Sequence, residues 1–185
     1  MDHLQKDRTF LHHAESELKD FLLSDQLFWP LSEGERLTLG SLLLALIRVK
    51  AVAKSPDEIQ TIERISTHLS DTRAAWRTNW SNKAALEFRS RLRQWELVVR
   101  EILSRDNHTS IVYHHEVTLR VILALLQPEM LEPDVVALEH LGILDHQLSA
   151  ASHRTGFIWD PGLQEQFPEE KFWFLYRNPT QEGKR

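Results

Sequence analysis

The chain has no cysteine in its 185 residues, so neither disulfides nor thiolate metal sites can hold it together. Only six residues are glycine, and the patterns G-x-G-x-x-G, G-x-S-x-G and G-K-[ST] do not occur. That removes the usual phosphate cradle and the nucleophile elbow. Apolar runs stop at six residues, as in Leu42 to Ile47, far short of the roughly 20 that a membrane helix needs. The opening Met-Asp-His-Leu-Gln-Lys-Asp-Arg has no apolar stretch, so no secretory signal is expected. The glycosylation-type triplets Asn79-Trp80-Ser81 and Asn107-His108-Thr109 then read as coincidence. Together these absences lead to the expectation of a soluble, cytoplasmic chain.

What is present is helical. Apolar residues make up 42% and charged residues 26%, a globular balance, and the length suits one domain with a sizeable core. Apolar positions recur at helical spacing nearly throughout, and no stretch alternates with period two. The expected fold class is all-α: one domain, with a bundle of about six helices over 1–154 and an aromatic-rich C-terminal segment, 155–185, packed on it.

Leu4, Leu11, Ala14, Leu18 and Phe21 mark a first helix, and Ser32-x-x-Glu35 predicts the start of a second as a capping box. Ser55-Pro56-Asp57-Glu58 predicts the start of a third. The stretch Thr78–Asn82 reads as a turn with Ser81 as the next cap. Ala85, Phe88, Leu92, Trp95, Val99 and Ile102 form the cleanest seam, so helices three and four are expected to make a long antiparallel hairpin. A loop at Ser104–Ser110 leads to a fifth helix at about 110–127, and a sixth covers about 134–151. The second and fifth are apolar on nearly every side and are expected at the centre.

Ten histidines invite a metal hypothesis. At about 100° per residue, Glu139, His146 and His153 share a face, but it points away from the apolar stripe of Ala137, Leu141, Leu144 and Leu148. They are expected in solvent. His12 and Glu15 likewise fall off the first seam. His115 is expected on the buried side of the fifth helix, where a buried imidazole could serve a small ligand or metal. His115-Glu116 begins a zincin-like motif that fails at Leu119, and no paired Glu-x-x-His for a di-iron bundle is present. Arg64 and His68 alone do not make a nuclease site. No cofactor is implied, and the balance leans away from an enzyme.

Two features remain. Residues 73–105 carry eight basic residues against three acids, net +5, which leaves −10 for the rest. Within that segment Arg89, Arg93 and Arg100 share one edge of the fourth helix, a candidate surface for nucleic acid or another polyanion, with Trp76 and Trp80 near it in sequence. The pI of about 6.1 and the nearby Glu96 favour a solvated, ion-paired face instead. The second feature is the tail. Seven of the sixteen aromatic residues lie between Phe157 and Tyr176. They cover the end of the bundle, dock a partner with Trp159, Phe172, Trp173 and Tyr176 as contacts, or insert at a membrane interface, which Glu165, Glu169 and Glu170 disfavour. By elimination the sequence reads as a non-enzymatic protein–protein interaction or scaffolding module, with a protein partner or a second copy of itself.

Overall fold

The computed structural model describes residues 3–104 and 109–179. Its helices are α1 (His3–Leu23), α2 (Leu39–Val52), α3 (Pro56–Ala75), α4 (Arg77–Ser104), α5 (Thr109–Leu126), α6 (Val135–Ala150) and a short α7 (Glu169–Phe172). Strands among the described residues are two antiparallel pairs of two residues each, β1 (Trp29–Pro30) with β2 (Arg36–Leu37) and β3 (His153–Arg154) with β4 (Arg177–Asn178). The chain is all-α, as its periodicity requires. The expected loop at Ser104–Ser110 falls largely outside the described residues. Contacts group the chain into two compact units, Met1–Glu87 with Leu125–Leu131, and Phe88–Ala124 with Glu132–Arg185.

In the first unit α1, α2 and α3 pack on one another. Leu11, Ala14, Leu18 and Phe21 of α1, Leu42, Ala45 and Val49 of α2, and Ile62, Ile65 and Leu69 of α3 are all buried. On α2 only Lys50 is exposed, in keeping with its all-round apolar sequence.

The start of α2 differs from expectation. Ser32–Gly34 is a lone 3₁₀ turn, with Gly34 at φ +81°, a conformation that glycine adopts without strain. The Leu31 N–H donates to the Glu35 carbonyl at 2.8 Å and closes a small hairpin. The helix starts only at Leu39, where Thr38 Oγ1 accepts the Ser41 N–H. Glu87, fully buried, completes that cap. Its carboxylate accepts from Thr38 Oγ1 at 2.7 Å and from the Gly40 N–H at 2.8 Å, placing negative charge at the positive end of the α2 dipole.

The box at Ser55 forms as expected. Ser55 Oγ accepts the Glu58 N–H, while Glu58 Oε2 accepts the N–H groups of Lys54 and Ser55. These two backbone donors, and then Arg8, hold the Glu58 carboxyl down at about 2, against an ordinary 4.5. A lowered carboxyl stabilises the folded state above the unfolded value and loses that contribution as pH falls through the folded one. Glu58→Ala should therefore melt below wild type at pH 7, and the gap should narrow between pH 4.5 and pH 2. Melting curves across that range check it, and an unchanged gap at the acid end would contradict it.

The turn expected at Thr78–Asn82 lies inside α4. The break is one residue, Trp76, two positions before that stretch, and it caps α3 at φ −117°. Tertiary bonds override the local turn signals there. Trp80 is buried and donates from Nε1 to Glu129 Oε2 at 2.8 Å, and Ser81 Oγ accepts the Leu131 N–H instead of capping a helix. Arg73 Nε reaches the same Glu129 carboxylate at 2.9 Å.

The second unit is built on the α4 seam, where Phe88, Leu92, Trp95, Val99 and Ile102 are buried as their spacing predicts. Tyr113, Val117 and Val121 of α5 and Ala137, Leu141, Leu144 and Leu148 of α6 are buried too. The tail belongs to this core. Phe167, Phe172, Phe174, Leu175 and Tyr176 are buried, and edge-to-face ring contacts link Trp159, Phe167, Phe172, Phe174 and Trp173 in series. Tyr113 OH donates to the Phe174 carbonyl at 2.6 Å and Tyr176 OH to that of Phe167 at 2.9 Å. Burial raises the hydroxyl pKa of both tyrosines, as expected for neutral donors inside a core. The final helix expected at 169–176 is one turn of α7 continued by a 3₁₀ turn over Trp173–Tyr176.

Candidate functional site

One ion pair and one close approach of polar side chains set α4 and α6 side by side in the second unit. Arg89 Nε meets Asp134, the N-cap of α6, at 2.7 Å, and His140 Nε2 lies 3.8 Å from Glu96. Residue numbers rise together along both helices in these pairs, so the two run in the same direction. Asp134 also accepts the Ala137 N–H, and its carboxyl is held below the usual range, by Arg89 first and that N–H second.

Beyond this row the outward side of both helices carries large apolar residues. On α6, Val136 is 76% exposed and Ile143 58%, one heptad apart; on α4, Leu97 is 65% exposed. Val135 at the start of α6 adds a fourth. Helical geometry, about 100° per residue, puts Arg93 and Arg100 on the same outward side of α4, between the Glu96 row and Leu97. The Val136–Ile143 ridge on α6 and Leu97 on α4 thus flank a charged row of His140, Glu96, Arg93 and Arg100.

The arginine edge is exposed as predicted for Arg89, Arg93 and Arg100. Two of the three are already engaged, Arg89 by Asp134 and Arg100 by Glu96 at 2.5 Å within α4. Trp80, near them in sequence, is buried and bonded to Glu129, so it offers no stacking platform. Trp76 is half-buried.

His115 is exposed, not buried. Burial of α5 is one-sided at Tyr113 and Val117 and becomes all-round only from Leu119 to Leu126. Sharing an angle with Ile122 therefore says nothing about cover two turns earlier. Glu139, His146 and His153 are exposed, as expected, and among the described residues no group of His, Asp or Glu is placed to hold a metal ion.

Of the four tail residues, Phe172 and Tyr176 are turned into the chain's own core. Trp159 and Trp173 are half-buried, and Trp159 Nε1 donates to the His114 carbonyl. Over its described residues, 155–179, the tail docks in cis.

Three features escaped the sequence reading. Arg120, within an apolar run of α5, is buried and makes a bidentate pair with Asp145, both contacts at 2.7 Å, with its guanidinium 4.5 Å from the Phe174 ring centre. The lone cation in an apolar run was the available signal, because a buried charge demands a partner. The Glu129 hub left no comparable trace. The third is a cleft of about 320 Å³ in the first unit, floored by Leu11, Val49, Ile62 and Ile65. Its rim cations are already paired, Arg8 with Glu58 and Arg64 with Glu15, so it can take an apolar group but has no spare cation there to orient one.

Compared with known proteins, the chain matches no family model, no curated protein and no solved structure.

Proposed function

We propose that this chain is a non-enzymatic protein–protein interaction or scaffolding module whose contact face is the outward side of α4 and α6. The observation that carries the proposal is the exposed pair Val136 and Ile143 one heptad apart on α6, with Leu97 exposed on α4 across the charged row, each more than half exposed. Interface cores are formed by such apolar side chains with arginine at their edge, and Arg93 supplies that edge. The aromatic tail contributes indirectly, by filling the core beneath α5.

A second proposal is a polyanion surface along Arg89, Arg93 and Arg100, supported by their shared exposed edge. It ranks lower because Asp134 and Glu96 compete for two of the three guanidinium groups.

One experiment separates them. Wild type and the double variant Val136→Glu/Ile143→Glu are used to capture partners from the native lysate, with and without nuclease. The interaction reading expects a stoichiometric protein that survives nuclease with wild type and is lost with the variant. Identical capture by both would contradict it, and loss on nuclease treatment alone would favour the arginine edge.

A further inference from the structure

We infer that the cleft of the first unit binds a small organic cation, an apolar ring body carrying one ammonium group that Asp57 holds. This site does not rest on the contact face proposed above, since its lining residues come from α1, α2 and α3.

The shape calls for an apolar body. Leu11, Val49, Ile62 and Ile65 close the cleft from below, and all four are buried. Small-molecule sites are concave, mostly apolar and upwards of about 300 Å³, and this cleft measures about 320 Å³. An apolar cavity of roughly 150 Å³ takes one benzene ring, so the space here suits a body of about two rings.

Charge on the rim selects the head group. The charged side chains lining the cleft are Arg8, Arg64, Asp57 and Glu58. Arg8 pairs with Glu58 at 2.6 Å, and Arg64 pairs with Glu15 through contacts of 2.5 and 3.0 Å. Among the described residues the Asp57 carboxylate makes no hydrogen bond or ion pair, and the Thr61 hydroxyl donates to the Asp57 backbone carbonyl instead. Two guanidinium groups therefore stand against three carboxylates, which leaves one uncompensated negative charge on Asp57. The positive end of the α3 dipole does not cancel it. Glu58 accepts the N–H groups of Lys54 and Ser55 and already places a full negative charge at that end.

These features rank the ligands. An anion would meet Asp57 and find both arginines taken. A neutral apolar molecule would use the floor alone. Only a cation with an apolar body uses the floor and the carboxylate together.

The test uses three probes that share one ring system: naphthylmethylamine, naphthylmethanol and naphthoate. Each is titrated into the full chain at low salt, where exposed charges are least screened, and followed by methyl NMR. A working pH of 8, above the ordinary imidazole value of about 6.5, keeps histidine charge out of the comparison. The amine should shift the methyl signals of Leu11, Val49, Ile62 and Ile65. The alcohol should bind about threefold more weakly, the effect of losing one exposed ion pair, and naphthoate should bind weakest. Asp57 is exposed and outside the Ser55–Glu58 box, so Asp57→Asn should keep the fold. It should reduce the affinity for the amine to that for the alcohol and leave the alcohol unchanged. Thr61, exposed on the same rim, gives a second variant: Thr61→Phe should block the mouth and weaken both. Naphthoate binding as tightly as the amine would overturn the inference, and so would an amine affinity that survives either substitution. Unshifted cleft methyls at millimolar amine would overturn it as well.

Discussion

Trp95→Ala is expected to lower stability by about 3–5 kcal/mol, the range for removing a large aromatic from a packed core. Trp95 is fully buried at the middle of the α4 seam, and its ring lies 6.5 Å from that of Tyr113. Tyr113 in turn donates to the Phe174 carbonyl, so the indole supports the contact through which α5 holds the tail. Trp95→Phe gives an internal comparison. The indole Nε1 is buried without a hydrogen-bond partner, so the smaller ring loses volume but no bond, and relieves an unsatisfied donor. It should cost markedly less than alanine. Denaturant unfolding of both variants checks the pair of values. A loss under about 1 kcal/mol for alanine would mean that this face of α4 is not core.

Asp145→Ala is the second large effect. The Arg120 guanidinium is buried between Asp145 and the Phe174 ring, and its Nη1 has no partner. Removing the carboxylate strands a cation in a low-dielectric site, which typically costs about 3–5 kcal/mol. The lower end is expected, near 3 kcal/mol, because the Asp145 side chain retains 21% exposure and water can enter. Replacing the pair together, Arg120→Met with Asp145→Leu, should recover most of that loss, since the cost comes from an unpaired charge and not from the absence of the bridge. Double-variant unfolding decides between these outcomes. A double variant as unstable as Asp145→Ala would show that the bridge itself carries the stability.

Much of the fold was legible because helical burial is periodic. The α4 seam and the four-residue stripe of α6 appear as their spacing dictates, and the Ser55 box forms because its two partners are three residues apart in the same chain segment. The errors share one cause. Ser32-x-x-Glu35 and Thr78–Asn82 carry local signals that lost to long-range bonds or to a glycine turn. Thr38 and Gly40 are tied to Glu87, and Ser81 is tied to Leu131, fifty residues away. No local window contains those partners. His115 was misplaced for a related reason: helical phase gives direction around an axis, while burial depends on how far the neighbouring elements extend along it.

The proposed contact face corresponds in the sequence only to two aliphatic residues, Val136 and Ile143, lying off the leucine stripe of α6. What gave them meaning was the neighbour. Arg89 with Asp134, and Glu96 with His140, put α4 alongside and bring Leu97 and Arg93 to the same side.

That face is tested most directly by comparing Val136→Glu/Ile143→Glu with wild type under conditions where both are folded. Both positions are more than half exposed, so melting temperatures should agree closely, as for surface substitutions within about 0.5 kcal/mol. With the fold matched, the predicted result is that wild type holds a stoichiometric protein partner, its own copy included, and the variant holds none. Equal association by the two proteins, at equal stability, would contradict an interaction face on α6.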